Sequence, residues 1–148
     1  MARFLIVEDF PPLTAVIAAF VKRLGHDVVQ CHTVQTALDL TDTFDHAVLD
    51  LDLPDGSGVD LAEQLLNRNS VGSVVFFTAS RDRDALARAA STGLVVDKAA
   101  GCDRLVAAIG QLTQPGTYRL AAVAGSPTGA TIGGTNRSGT RRKFDRNR

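Results

Sequence analysis

Short aliphatic runs alternate five times with stretches of helical period within residues 1–112, and this alternation limits the chain to very few folds. Residues 3–7 are almost continuously aliphatic, the pattern of a strand buried on both faces. Pro11 and Pro12 suit a first helical turn. Leu13, Val16, Ile17, Phe20, Val21 and Leu24 then recur at helical spacing, and Gly25 closes that helix as a C-terminal cap. A second strand is expected over 27–31. Thr33 can cap the next helix, which carries Val34, Ala37, Leu38 and Leu40. A third strand over 47–51 leads into a turn at 54–58 and a helix over 59–67 that presents Leu61, Leu65 and Leu66. Residues 73–78 and 94–96 read as the last two strands, with helices over 82–91 and 103–112.

Strands separated by helices and joined by short loops imply a parallel sheet covered on both faces. Right-handed crossovers leave a doubly wound α/β sheet as the natural topology. Hydrophobic residues make up 45% of the chain and aromatics only 5%, so the core must be aliphatic rather than built of stacked rings. No run approaches the ~20 apolar residues of a membrane span. The first ten residues contain an early arginine, four apolar residues and then two acids, which is not a signal peptide. Cys31 and Cys102 lie far apart without Cys-x-x-Cys spacing, as expected of ordinary thiols in a reducing compartment. A cytoplasmic location without membrane contact is the expectation.

In doubly wound sheets the active crevice lies at the carboxyl ends of the strands. Reading off those ends gives Glu8 and Asp9 after the first strand, Asp50 on the third, Thr78 on the fourth and Lys98 after the fifth. Glu8, Asp9 and Asp50 crowd negative charge that is costly without a cation among them. An all-oxygen set with room for waters and a phosphate oxygen suits Mg²⁺. Asp50 then serves as an in-line nucleophile that forms an acyl phosphate, with Lys98 and Thr78 meeting phosphoryl oxygens. His26, His32 and His46 have no ligand spacing and read as surface or capping residues. Asp55 and Gly58 read as turn formers.

Glu8-Asp9, the run from Asp50 to Gly58, Phe77-Thr78-Ala79 and Asp97-Lys98 are similar to the four signature segments of response-regulator receiver domains, the phosphorylation switch of two-component signalling. The resemblance covers residues 1–112. It implies a flavodoxin-like sheet of order 2-1-3-4-5, with Asp50 as phospho-acceptor and Thr78 and Lys98 beside it. It implies Mg²⁺ held by Glu8, Asp9, Asp50 and the backbone carbonyl of Asp52. It also implies a sensor histidine kinase or phosphotransfer protein as donor and a downstream protein target. The family pattern often has an aromatic three residues before the lysine, an apolar residue just before it and a proline just after. Here those positions are Val95, Asp97 and Ala99.

The chain's zero net charge hides an asymmetry. Residues 1–112 hold 9 basic and 15 acidic residues, a net charge of −6, whereas 113–148 hold 7 basic and 1 acidic, a net charge of +6. The second segment is rich in Gly, Thr and Arg and reads as a disordered tail. It has no helix-turn-helix periodicity, zinc spacing or enzymatic motif, so the first reading is a stand-alone receiver resembling chemotaxis regulators. A second reading makes the basic tail the output, through nucleic acid or an acidic partner. A third, a haloacid-dehalogenase-like phosphatase built on Asp50-x-Asp52, lacks the expected Gly-Thr continuation and places the pair on the wrong strand.

Overall fold

A computed structural model describes residues 1–114, of which Met1–Thr113 form one compact unit. The expectation of a disordered tail falls, from residue 115 onward, outside the described residues. The elements follow in the order β1 (Arg3–Val7), α1 (Pro11–Arg23), β2 (Asp27–Cys31), α2 (Val34–Leu38), β3 (Phe44–Leu49), β4 (Asp52–Leu53), β5 (Gly56–Ser57), α3 (Gly58–Asn67), β6 (Val71–Thr78), α4 (Arg83–Thr92), β7 (Leu94–Asp97), a 3₁₀ turn (Lys98–Ala100) and α5 (Cys102–Thr113).

The five long strands form one parallel sheet in the order β2-β1-β3-β6-β7, which is the expected 2-1-3-4-5 topology. Side-chain alternation along the strands feeds two cores. Leu5, Val7, Leu49 and Phe76 face one core with Ala37 of α2, Leu61 and Leu65 of α3 and Ala89 of α4. Phe4, Ile6, Val48 and Val75 face the other with Ile17 and Val21 of α1 and Leu105 and Ile109 of α5. Both faces of β1 are therefore covered, and Phe4 to Val7 are fully buried.

The strand register positions the site. Val7 pairs with Leu49 and also with Cys31, and Thr78 pairs with Asp97. The residues that follow Val7 and Leu49 thus emerge side by side at one end of the sheet.

Several boundaries differ from the sequence expectation for identifiable reasons. The third strand ends at Leu49, because residues 52–57 fold back as the small antiparallel β4–β5 hairpin. Leu51, just before the hairpin, and Leu53, within it, are both buried, so an apolar residue past Leu49 marks burial of this loop rather than strand. In α1 the buried stripe is Thr14, Ile17, Ala18 and Val21, while Val16 and Leu24 are exposed. Thr14 can be buried because its hydroxyl has acceptors in the carbonyls of Glu8 and Phe10, both at 3.1 Å. Gly25 does close α1, with a φ of +93° and its N–H donating to the Lys22 carbonyl. His46 is not a surface residue. It is buried on β3, with Nδ1 2.7 Å from Ser73 Oγ, and burial holds its pKa below the ordinary histidine value.

Candidate functional site

Glu8 and Asp9 leave the end of β1, and Asp50 leaves the end of β3 with its N–H donating to the Val7 carbonyl at 3.0 Å. One carboxylate oxygen from each of the three lies within 4.8 Å of the others. Glu8 and Asp50 are buried, whereas Asp9 is open to solvent. Lys98, the first residue of the 3₁₀ turn after β7, reaches across to place Nζ 2.8 Å from Asp50 Oδ2 and 2.7 Å from Glu8 Oε1. Burial alone would lower the Lys98 pKa, but Asp50 and Glu8 hold it above its ordinary value. Burial pushes the Glu8 carboxyl above the usual range, against the opposing pull of Lys98 and of the Phe10 N–H.

The loop after Asp50 is fixed by main-chain contacts. The Asp52 N–H lies 3.3 Å from Asp50 Oδ1, and the Gly58 N–H donates to the Leu51 carbonyl at 2.8 Å. Gly58 was expected as a turn former, but the structure requires glycine there for space. A Cβ at that position would sit 1.8 Å from the Asp50 carbonyl oxygen. Asp55 also does more than turn the chain. Its carboxylate accepts the N–H groups of Val34 at 2.7 Å and Gln35 at 3.0 Å, which docks the hairpin on the start of α2.

Thr78 ends β6, buried, with Oγ1 accepting the Ser80 N–H at 3.1 Å. A hydroxyl that accepts one bond still has its proton to donate. The structure therefore brings together Glu8, Asp9 and Asp50, with Lys98 in contact with Glu8 and Asp50. Thr78 stands at the matching end of the strand beside β3. Asp52 contributes its backbone in the same loop, and its side chain points to solvent.

His32, which has no ligand spacing in the sequence and is exposed, nevertheless touches this site. Its Nδ1 lies 2.8 Å from the Glu8 carbonyl, so the acidic loop is held from the edge strand as well as by Thr14. No sequence spacing signals that contact, which arises only from the β1–β2 register.

The donor set fits a hard divalent cation. Lys98 Nζ lies close to Glu8 Oε1 but is poorly aligned, which leaves that buried oxygen without a hydrogen-bond partner among the described residues. One ammonium shared among three convergent acids leaves net negative charge, and their carboxylates offer oxygen ligands of the type Mg²⁺ takes.

Comparison with known proteins bears on the family and the fold. The Transcriptional regulatory protein DpiA of Escherichia coli (strain K12) is 30% identical over 94 residues, covering 61% of this chain and 42% of that protein. The Response regulator protein PilR of Pseudomonas aeruginosa is 31% identical over 91 residues, covering 60% of this chain and 20% of that protein. The chain thus spans less than half the length of these curated relatives. Among solved structures, the non-phosphorylated HemR receiver domain from Leptospira biflexa superposes with a TM-score of 0.69 at 27% identity, over 78% of this chain and 98% of that one. The response regulator TrrA from Thermotoga maritima, solved in complex with Mg²⁺-BeF, superposes with a TM-score of 0.66 at 20% identity, over 76% and 99%. The family model described as the response regulator receiver domain matches residues 4–110. With its sheet order, its convergent acids and its lysine all in that frame, the chain belongs to the response regulator receiver domain family.

Proposed function

We propose that this chain acts as a response-regulator receiver, phosphorylated on Asp50 in a Mg²⁺-dependent reaction and signalling through protein–protein contacts. The observation that carries the reading is the Lys98 ammonium shared between Asp50 and Glu8, set against three carboxylates within 4.8 Å. The carboxylate of Asp50 attacks the phosphorus of a phosphohistidine. The new bond is an acyl phosphate; the P–N bond breaks, and its electron pair returns to the imidazole, which takes up a proton. Lys98 shifts its charge to a phosphoryl oxygen, and Thr78 donates its hydroxyl proton to another. Glu8, Asp9, Asp50 and the Asp52 carbonyl would hold Mg²⁺, which would supply charge neutralisation for the incoming phosphoryl group. The protein catalyses only its own phosphorylation and dephosphorylation.

A sensor histidine kinase or phosphotransfer protein is the donor in this reading, and a second protein reads the phosphorylated state. No helix among the described residues is long and apolar enough to cross a membrane. A cytoplasmic location fits a domain that meets a kinase there. The test uses a small acyl phosphate as donor, with Mg²⁺, on the wild type and Asp50→Asn. Intact mass rises by one phosphoryl group in the wild type alone. A wild type that gains no mass would sink the reading.

The +6 charge of residues 113–148 supports a second output, weak contact with nucleic acid or an acidic partner. Salt-dependent duplex binding by the full chain, compared with a chain of residues 1–112, decides it. Equal binding removes it.

A further inference from the structure

Asp97 stands where receiver domains commonly carry an apolar strand residue, and here its carboxylate is used twice. Oδ1 accepts the Ala99 N–H at 2.8 Å, which caps the 3₁₀ turn beginning at Lys98. Oδ2 meets Arg81 Nη1 at 2.9 Å. The turn is completed by the Gly101 N–H, which donates to the Lys98 carbonyl at 3.1 Å. Arg81 belongs to the loop that begins where the Ser80 N–H engages Thr78 Oγ1, and Thr78 itself lies opposite Asp97 in the β6–β7 register.

The strand ladder ends at Asp97, so it does not decide the direction in which the lysine leaves the sheet. The cap on Ala99 does. One carboxylate thus joins the segment that carries Thr78 to the turn that carries Lys98.

We propose that Asp97, held by Arg81, is a positioning residue that aims Lys98 at Asp50 and couples the lysine to the loop after Thr78. The proposal rests on the phosphorylation reading above for its consequence, though not for its geometry. Asp97 does not compete for the ammonium, whose ion-pair partners are Asp50 and Glu8. Arg81 and Asp97 are both partly open to solvent, so the pair can break and re-form without disturbing the core.

The test uses the full chain with Arg81→Gln, Asp97→Asn, Asp97→Ala and the double variant Arg81→Gln/Asp97→Asn. Two quantities are read: the NMR signals of the Lys98 amide and ammonium without phosphorylation, and the rate of Asp50 modification by a small acyl phosphate with Mg²⁺. Arg81→Gln is expected to move the Lys98 signals and slow modification about two- to fivefold, the range an exposed ion pair commands. Asp97→Asn keeps an acceptor for Ala99 and matches Arg81→Gln. Asp97→Ala loses both contacts and is slower than either, and the double variant is no slower than the single ones. Lys98 signals unmoved in Arg81→Gln and Asp97→Ala overturn the proposal, as do rate effects that multiply in the double variant. A wild type that gains no phosphoryl mass defeats the phosphorylation reading instead, and the Lys98 signals still decide the positioning role.

Discussion

Asp50 and Lys98 meet at 2.8 Å, but the segments that deliver them are built in opposite ways. The loop from Asp50 to Gly58 is mounted on backbone and core. Leu51 and Leu53 are buried beneath it, Gly58 closes against the Asp50 carbonyl, and Asp55 fastens the hairpin to α2. The turn from Lys98 to Gly101 has no buried residue among Lys98, Ala99 and Ala100, and a Cβ added at Gly101 would meet nothing within 4 Å. Its shape depends on Asp97. Close-packed backbone has no alternative position nearby, whereas an open turn held by side-chain acceptors does. The difference teaches where adjustment can occur: the acid is held still, and the lysine is the partner that can move.

The largest break in this comparison is Gly58→Ala. Its Cβ would fall 1.8 Å from the Asp50 oxygen, and the nearest atoms are all backbone of Asp50 and Leu51, with no side chain among them to yield. A loss of about 3 kcal/mol is expected, the upper end for overpacking, read from the urea midpoint at constant slope. Lys98→Ala comes next. It leaves buried Glu8 and Asp50 facing each other without the ammonium. A fully buried pair broken this way costs about 3–5 kcal/mol, and with the lysine side chain 23% exposed the expectation is about 2 kcal/mol without metal. Mg²⁺ should then raise the thermal midpoint more in the variant than in the wild type. Gly101→Ala is the counterpart of Gly58→Ala on the open side. Its φ of +88° is strained for any residue with a Cβ, yet there is space, so about 1 kcal/mol is expected. Equal losses at the two glycines would erase the contrast between the mounts.

The same contrast explains what was legible in the sequence. Strand order, the two-sided core and the convergence of Glu8, Asp9, Asp50 and Lys98 follow from aliphatic runs and from the rule that sites lie at strand ends. Those signals are local and periodic. The contacts that fix the site are not. Asp55 reaches α2 across 21 positions and His32 reaches the Glu8 carbonyl across 24, and neither spacing has a pattern to read. Thr14 occupies a position that an apolar periodicity rejects, because its acceptors belong to the turn before the helix. Leu51 resembles strand continuation because a buried residue in the loop before a hairpin and one in a strand leave the same mark. Val95, Asp97 and Ala99 were visible as departures from the family pattern. What Asp97 does with its two oxygens became visible only once Arg81 and the Ala99 N–H were in place.

The smallest effects separate the two mounts by charge. The Asp55 carboxyl is held below the ordinary aspartate pKa by the N–H groups of Gln35 and Val34. That of Asp97 is held low by the Ala99 N–H and by Arg81. Each depressed folded value means stability that is present above the ordinary aspartate pKa, about 3.9, and lost as pH falls through the folded one. Asp55→Asn and Asp97→Asn should therefore both flatten the acid limb of a plot of urea midpoint against pH. Salt distinguishes them. At about 1 M salt the Debye length shrinks to about 3 Å, which weakens the exposed Arg81 pair and leaves hydrogen bonds to backbone N–H groups largely intact. At neutral pH the difference between Asp97→Asn and wild type should shrink in high salt, while that of Asp55→Asn persists. If the two variants respond to salt alike, the lysine turn is not held by the Arg81 charge, and the open mount is open for some other reason.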